Sequence, residues 1–101
     1  MKVKTPKTGG ICQSLKGRDK DRFYLIKDVN GDGTVMLVDG NFKRLAAPKK
    51  KNLKHIRLLP DTVESIAEKL LAGKQVFDTE VYSALRPFNE TQIVDEELKN
   101  V

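Results

Sequence analysis

The sequence predicts a mainly β fold with α-helix at its C-terminal end, a small antiparallel barrel followed by two short helices. Three observations lead to this class. Short segments rich in apolar and β-branched residues fill residues 9–59, tight-turn dipeptides separate them, and the apolar spacing becomes helical after Pro60. A chain of 101 residues is long enough for one core and too short for two typical domains.

The strand predictions rest on residue type and on turn signals. The segment FYLIKDV at residues 23–29 carries apolar side chains on both faces, which is typical of a strand covered on both sides. The turn sequence NGDG at residues 30–33 follows it and is the strongest hairpin signal in the chain. The predicted strands are residues 11–15, 23–29, 34–39, 42–45 and 53–59. Short strands joined by tight turns indicate a small antiparallel barrel.

The helical predictions begin after the proline. Asp61 and Glu64 have the spacing of a capping box, so we expect a first helix near residues 61–72. A second helix is expected near residues 79–86, with Pro87 ending it. The resulting plan of the chain is a flexible basic arm at 1–8, the barrel at 9–59, a helical appendage packed on the barrel at 60–88, and a loosely ordered tail at 89–101.

Charge is divided unevenly along the chain. Residues 1–60 contain 15 Lys and Arg against 5 Asp and Glu, whereas residues 61–101 contain 4 against 9, and the balances of +10 and −5 give the net charge of +5. This division indicates that the N-terminal part meets a polyanion and the acidic half does not. The alternative is a lysine-rich surface that serves solubility alone.

Several classes of protein are not expected. No run of 18 apolar residues and no apolar segment after the basic N-terminus are present, so we expect neither a membrane span nor a secretory signal. The single cysteine, Cys12, cannot form an internal disulfide, which favours a reducing cytoplasm. His55 is the only histidine, and no nucleophile motif accompanies it. We therefore expect no enzyme activity, no cofactor, no metal and no small-molecule substrate.

One motif admits a second interpretation. Residues 28–33 (DVNGDG) match the opening of a calcium-binding EF-hand loop, and Asp39 falls at its twelfth position. An EF-hand needs a helix on each side, whereas the flanking segments have strand composition. We therefore interpret these residues as a hairpin turn, since Asn, Asp and Gly tolerate positive φ.

The run GICQSLKGRDKDRFYLIKDV at residues 10–29 resembles a KOW motif, in which a basic glycine-containing loop between two strands faces RNA or a protein partner. The blocks KGRDK, VDGNFKRL and PKKKNLKH occur in order within residues 10–59 and resemble small bacterial KOW-domain RNA-binding proteins. That family is related to barrel-fold large-subunit ribosomal proteins of archaea and eukaryotes. The resemblance implies an SH3-like barrel. Asp21 stands where family members commonly carry glycine, a residue that adopts a left-handed backbone more readily than aspartate.

The resemblance and the charge together imply a non-enzymatic RNA-binding protein, ribosome-associated or translation-related, with ribosomal RNA as its expected partner and ribosomal proteins as further partners. The alternative is a KOW-type protein-docking module that contacts a ribosomal or transcription protein. The candidate RNA-binding residues are Lys16, Gly17, Arg18, Lys20, Arg22, Lys43, Arg44, Lys49, Lys50, Lys51, Lys54, His55 and Arg57. Phe23, Tyr24 and Phe42 are either base-stacking residues or core residues, because aromatic side chains in strands serve both purposes.

Overall fold

A computed structural model describes the backbone of residues 5–99 and the side chains of residues 5–90. The strands are β1 (Gly10–Ser14), β2 (Phe23–Val29), β3 (Thr34–Val38), β4 (Lys49–Asn52) and β5 (Ile56–Thr62), with a 3₁₀ turn at Leu53–His55 between the last two. The helices are α1 (Glu64–Leu71) and α2 (Asp78–Lys99). The predicted class, mainly β with two C-terminal helices, is confirmed. Residues 1–4 of the predicted basic arm lie outside the described residues.

The five strands form one antiparallel sheet in the order β4-β3-β2-β1-β5. β4 and β5 are its two edges, and no hydrogen-bonded pairing joins them within residues 5–99, so the predicted barrel is not closed. The 3₁₀ turn carries the chain from one edge to the other. Because Val35 on β3 and Ile56 on β5 belong to the same buried cluster, the sheet curls strongly although its edges do not pair.

Each face of the sheet has its own apolar core. One cluster lies on the face that the sheet curls around, called here the inner face, and consists of Cys12, Tyr24, Ile26, Val35, Leu37 and Ile56. The other lies on the helix-covered face and consists of Ile11, Phe23, Leu25, Val38, Ile66, Val81 and Leu85. β2 contributes to both clusters, as the apolar run in FYLIKDV predicted, because successive strand residues point to opposite faces.

The capping-box prediction at the start of α1 is wrong. Asp61 belongs to β5, which continues through Pro60 to Thr62, and the N-cap of α1 is Val63, which makes no side-chain capping bond. The strand persists because Thr62 pairs with Gly10 at the start of β1. Pro60 is tolerated because β5 is an edge strand, where a missing N–H disrupts no ladder on the open side.

The second helix does not end before Pro87, and the predicted loose tail is helical from residue 89 to Lys99. Tertiary contacts explain why the helix continues. The Phe88 ring lies 5.5 Å from the Phe23 ring, and the Asn89 side chain bonds both the N–H and the carbonyl of Phe23. Packing against β2 thus outweighs the local preference of proline to end a helix. Residues 100–101 of the tail lie outside the described residues.

The fourth predicted strand, residues 42–45, is a loop, and the strand that follows it was not predicted as such. The loop is fixed by side-chain caps rather than by a ladder, since the Leu45 N–H donates to Asp78 at 2.7 Å. β4 has the sequence KKKN, which lacks the apolar alternation that identifies a half-buried strand.

Candidate nucleic-acid interface

The basic loop between β1 and β2, residues 15–22, is held closed by its own backbone. The Asp21 N–H donates to the Ser14 carbonyl at 2.8 Å, and the Lys20 N–H donates to the Gly17 carbonyl at 3.2 Å. Gly17 has a φ of 96° and Asp21 a φ of 74°. Asp21 therefore adopts the left-handed conformation for which glycine is better suited, at a cost in strain.

Asp19 fixes this loop over the end of the inner face. Its carboxylate is 11% exposed and accepts hydrogen bonds from the Ser14 hydroxyl at 2.9 Å and from the Tyr24 hydroxyl at 3.0 Å. Two lysines of β4 complete the arrangement, Lys49 Nζ at 2.8 Å and Lys51 Nζ at 3.1 Å. Three strands thereby contribute donors to one loop carboxylate. Asp19 and these four partners, Ser14, Tyr24, Lys49 and Lys51, are called here the Asp19 cluster.

Register explains why both lysines point to Asp19. Lys49 pairs with Leu37 and Lys51 pairs with Val35, and residues directly opposite on antiparallel strands share a face. Both lysines therefore lie on the inner face with Tyr24, whereas Lys50 lies on the other face and is exposed. Lys51 also donates to the Lys16 carbonyl at 2.6 Å, so the loop is held by its backbone as well.

The electrostatics of the cluster favour the ionised carboxylate. Desolvation by burial raises the pKa of Asp19, but hydrogen bonds from Lys49, Ser14, Lys51 and Tyr24 outweigh it, so the pKa lies well below its usual range. Burial and the hydrogen bond to Asp19 raise the pKa of Tyr24. Burial first, then the Asp19 charge, raises the pKa of Cys12 to about 12, so its thiol is a buried apolar group, as expected.

The loop lies against the 3₁₀ turn, which brings two basic segments of the sequence together. Leu15, the residue directly before Lys16, donates its N–H to the His55 carbonyl at 2.8 Å. Arg57 donates twice to the Gln13 amide oxygen, at 3.1 and 2.8 Å, and remains exposed. The five exposed cations around this contact are Lys16, Arg18, Lys20, Lys54 and Arg57, called here the loop cations.

A second basic segment, around Lys43 and Arg44, belongs to the loop before β4. Asp39 is 1% exposed, and its carboxylate accepts from the Asn41 N–H at 2.9 Å and the Lys43 N–H at 2.7 Å. The link to the basic loop is Arg22, whose Nη2 lies 3.4 Å from Asp39. Arg22 and Asp39 therefore connect the segment that contains Lys43 and Arg44 to the loop between β1 and β2.

The thirteen predicted residues fall into three classes of exposure. Lys16, Gly17, Arg18, Lys20, Arg44, Lys50, Lys54 and Arg57 are exposed; Arg22, Lys43, Lys49 and His55 are half-buried; Lys51 is buried. The Lys49 and Lys51 ammonium groups bind Asp19 and are not free for a phosphate while the cluster is intact. The triple lysine thus divides into one exposed and two inward-facing members.

Sequence reasoning missed the acidic residues that shape the site. Asp19 and Asp39 each fix a basic loop, yet neither was identified as a site residue. A signal for Asp19 does exist: lysines two positions apart in a strand share one face, and such a pair turned inward needs an anion. Recognising it required β4 to be identified as a strand.

The aromatic residues separate into core and surface. Phe23 and Tyr24 are buried, with 8% and 2% exposure, whereas Phe42 is 70% exposed. The Arg22 guanidinium lies over the Phe42 ring, 5.1 Å from its centroid. Phe42 is therefore the member of this group placed to contact a ligand.

The interpretation of residues 28–33 as a hairpin turn is confirmed. β2 and β3 flank the turn, and the Asp32 carboxylate accepts from the Thr34 N–H at 3.1 Å. The Asp39 carboxylate accepts hydrogen bonds from backbone N–H groups of the loop after β3. Within the described part of the chain, no group of three or more His, Cys, Asp or Glu side chains is placed to hold a metal ion, and neither helix is long and apolar enough to span a bilayer.

Comparison with known proteins adds no assignment. No protein-family model matches the chain, and no curated protein matches it significantly.

Proposed function

We propose that the protein is a non-enzymatic RNA-binding protein that docks its basic loop on the phosphate backbone. The observation that carries the proposal is the group of five exposed loop cations around a loop whose shape is set by the Asp19 cluster. Held charges of this kind neutralise phosphates with little loss of conformational entropy on binding. Arg18 and Arg57 can each grip a phosphate through two N–H groups, whereas the lysines act as point charges.

The resemblance of KGRDK, VDGNFKRL and PKKKNLKH to KOW-domain proteins supports ribosomal RNA as the target and a ribosome-associated or translation-related role. The sign of the charge supports a polyanion such as RNA as the partner, because the +10 half of the chain contains the loop and the helices carry the acidic half. Single-stranded or loop RNA is the expected form, since protein side chains reach its bases more readily than those of a duplex.

Binding to RNA at several salt concentrations tests this proposal. If the five loop cations each neutralise one phosphate of a single strand, the plot of log affinity against log salt has a slope near −3.5, from about −0.7 per contact. Fluorescence anisotropy with a labelled loop fragment of ribosomal RNA measures the slope. Absence of binding at low salt would contradict the proposal.

A second candidate function is docking to a ribosomal or transcription protein, and one observation favours it. The helical half exposes large apolar side chains, with Leu71 76%, Phe77 56% and Tyr82 42% exposed. Apolar docking responds weakly to salt, so a partner that remains bound as salt rises would indicate this function.

A further inference from the structure

A pocket of about 280 Å³ lies between the loop after β3 and the face of α2 that carries Tyr82, Leu85 and Asn89. Its walls include Arg22, Asn41, Phe42, Tyr82, Arg86 and Asn89. Pockets that enclose drug-sized ligands have volumes of about 300–1,000 Å³. A pocket slightly below that range fits a single ring system better than a dinucleotide.

Phe42 gives this pocket a surface for stacking. Its ring is 70% exposed, although Arg22 covers part of it at 5.1 Å from the centroid. A planar heteroaromatic ring stacked on a phenyl ring buries apolar area, whichever nucleobase supplies the ring. Tyr82, 42% exposed, supplies a second aromatic ring to the walls.

The charges of the pocket favour a neutral ligand over a phosphate. Arg22 lies beside Asp39, and Arg86 donates to Glu90 at 2.8 Å, so each arginine in the walls has an acidic partner there. The only hydrogen bond that the Arg22 side chain makes within the described residues is the long one to Asp39, and its buried Nε has no acceptor among them. The pocket thus combines balanced charge with a guanidinium, that of Arg22, which is partly exposed and makes only one long hydrogen bond among the described residues. Its terminal N–H groups suit the carbonyl and ring-nitrogen acceptors of a nucleobase.

Arg22 joins the pocket to the basic loop, of which it is the last residue. An RNA strand whose phosphates lie on the loop cations can therefore reach the pocket along Arg22. We propose that this pocket, called here the base pocket, holds one unstacked nucleobase of the bound RNA, an inference that rests on the RNA-binding function proposed above.

Phe42→Ala tests the base pocket, with Phe77→Ala as the matched control, because Phe77 is also exposed (56%) and lies outside the pocket. The probes are a ten-nucleotide uridine oligomer and the same ribose-phosphate chain without bases. Loss of one stacked base weakens binding of the uridine oligomer to Phe42→Ala by roughly 5- to 150-fold. Binding of the abasic chain stays unchanged, Phe77→Ala binds both probes like the wild type, and Phe42→Trp retains the preference for the uridine oligomer.

The outcomes separate the pocket from the function on which it rests. If Phe42→Ala binds the uridine oligomer as tightly as the wild type does, the base pocket is wrong while RNA binding stands, and an aromatic side chain of a protein partner becomes the better occupant. Equal weakening for both probes would also overturn it, because the change would then act through the loop and not through a base. If the folded wild type binds neither probe, the proposed function fails together with the pocket.

Discussion

Among single residues, Asp19 does most to fix the shape of the basic loop. Its four partners donate from the sheet strands β1, β2 and β4, and Lys51, the more buried of the two lysines among them, has only 9% of its side chain exposed. Removing one partner of a buried ion pair leaves the other charge desolvated and unpaired, which costs more than the pair contributes.

We therefore expect Asp19→Ala to lower the free energy of unfolding by about 3 kcal/mol. Asp28→Ala is the control, because its pair with Lys27 is exposed and is worth less than about 1 kcal/mol. Urea unfolding measures both. Equal and small losses for the two variants would mean that the Asp19 cluster does not stabilise the fold.

The same residue predicts a dependence of stability on pH. The pKa of Asp19 is lower in the folded protein than in the unfolded chain, where it is about 3.9. Its contribution is complete above that value and is lost as pH falls below it towards the folded pKa. Asp19→Asn should therefore show a shallower loss of stability than the wild type between about pH 5 and pH 2. Parallel acid limbs in urea unfolding would contradict this explanation.

At the scale of elements, the helices are fitted closely to the loop after β3. Gly40 has a φ of 78°, and a Cβ at this position would lie 2.2 Å from the Asp78 carbonyl oxygen at the start of α2. Gly31 has a similar φ of 81° with no atom within 4 Å of such a Cβ. Both glycines have a positive φ, but only Gly40 lies so close to α2 that a side chain there would clash.

Gly31→Ala should consequently cost about 1–2 kcal/mol, from left-handed strain alone. Gly40→Ala should cost a further 1–3 kcal/mol, because α2 must move away from the loop. Thermal or urea unfolding of the two variants gives the difference. The same loss of unfolding free energy for both variants would indicate that α2 moves away from the loop with little loss of stability.

The elements also show what the sequence could reveal. β2 and β3 were predictable because apolar residues and the turn NGDG mark them locally. β4 was not, because its inward lysines face a carboxylate instead of an apolar core. The extension of β5 through Pro60 and of α2 through Pro87 depends on partners far away in the chain, Gly10 and Phe23 respectively, which local patterns cannot indicate.

At the scale of the whole molecule, the charge asymmetry and the fold point to one surface. The sheet carries the basic half of the chain, and the contact between the loop and the 3₁₀ turn joins segments about 40 residues apart into one group of cations. The residue types of this group were predicted, whereas the separation of Lys49 and Lys51 from it follows only from the register of β4.

We propose that the loop cations bind RNA because of their position, and not because of net charge alone. The most direct measurement compares the salt dependence of RNA affinity for Arg18→Ala/Lys20→Ala with that for Lys27→Ala/Lys74→Ala, which removes the same charge elsewhere. We expect a slope near −2.1 for the loop variant, from two contacts fewer at about −0.7 each, and a slope near −3.5 for the control, as in the wild type. Equal slopes for the two double variants would contradict it.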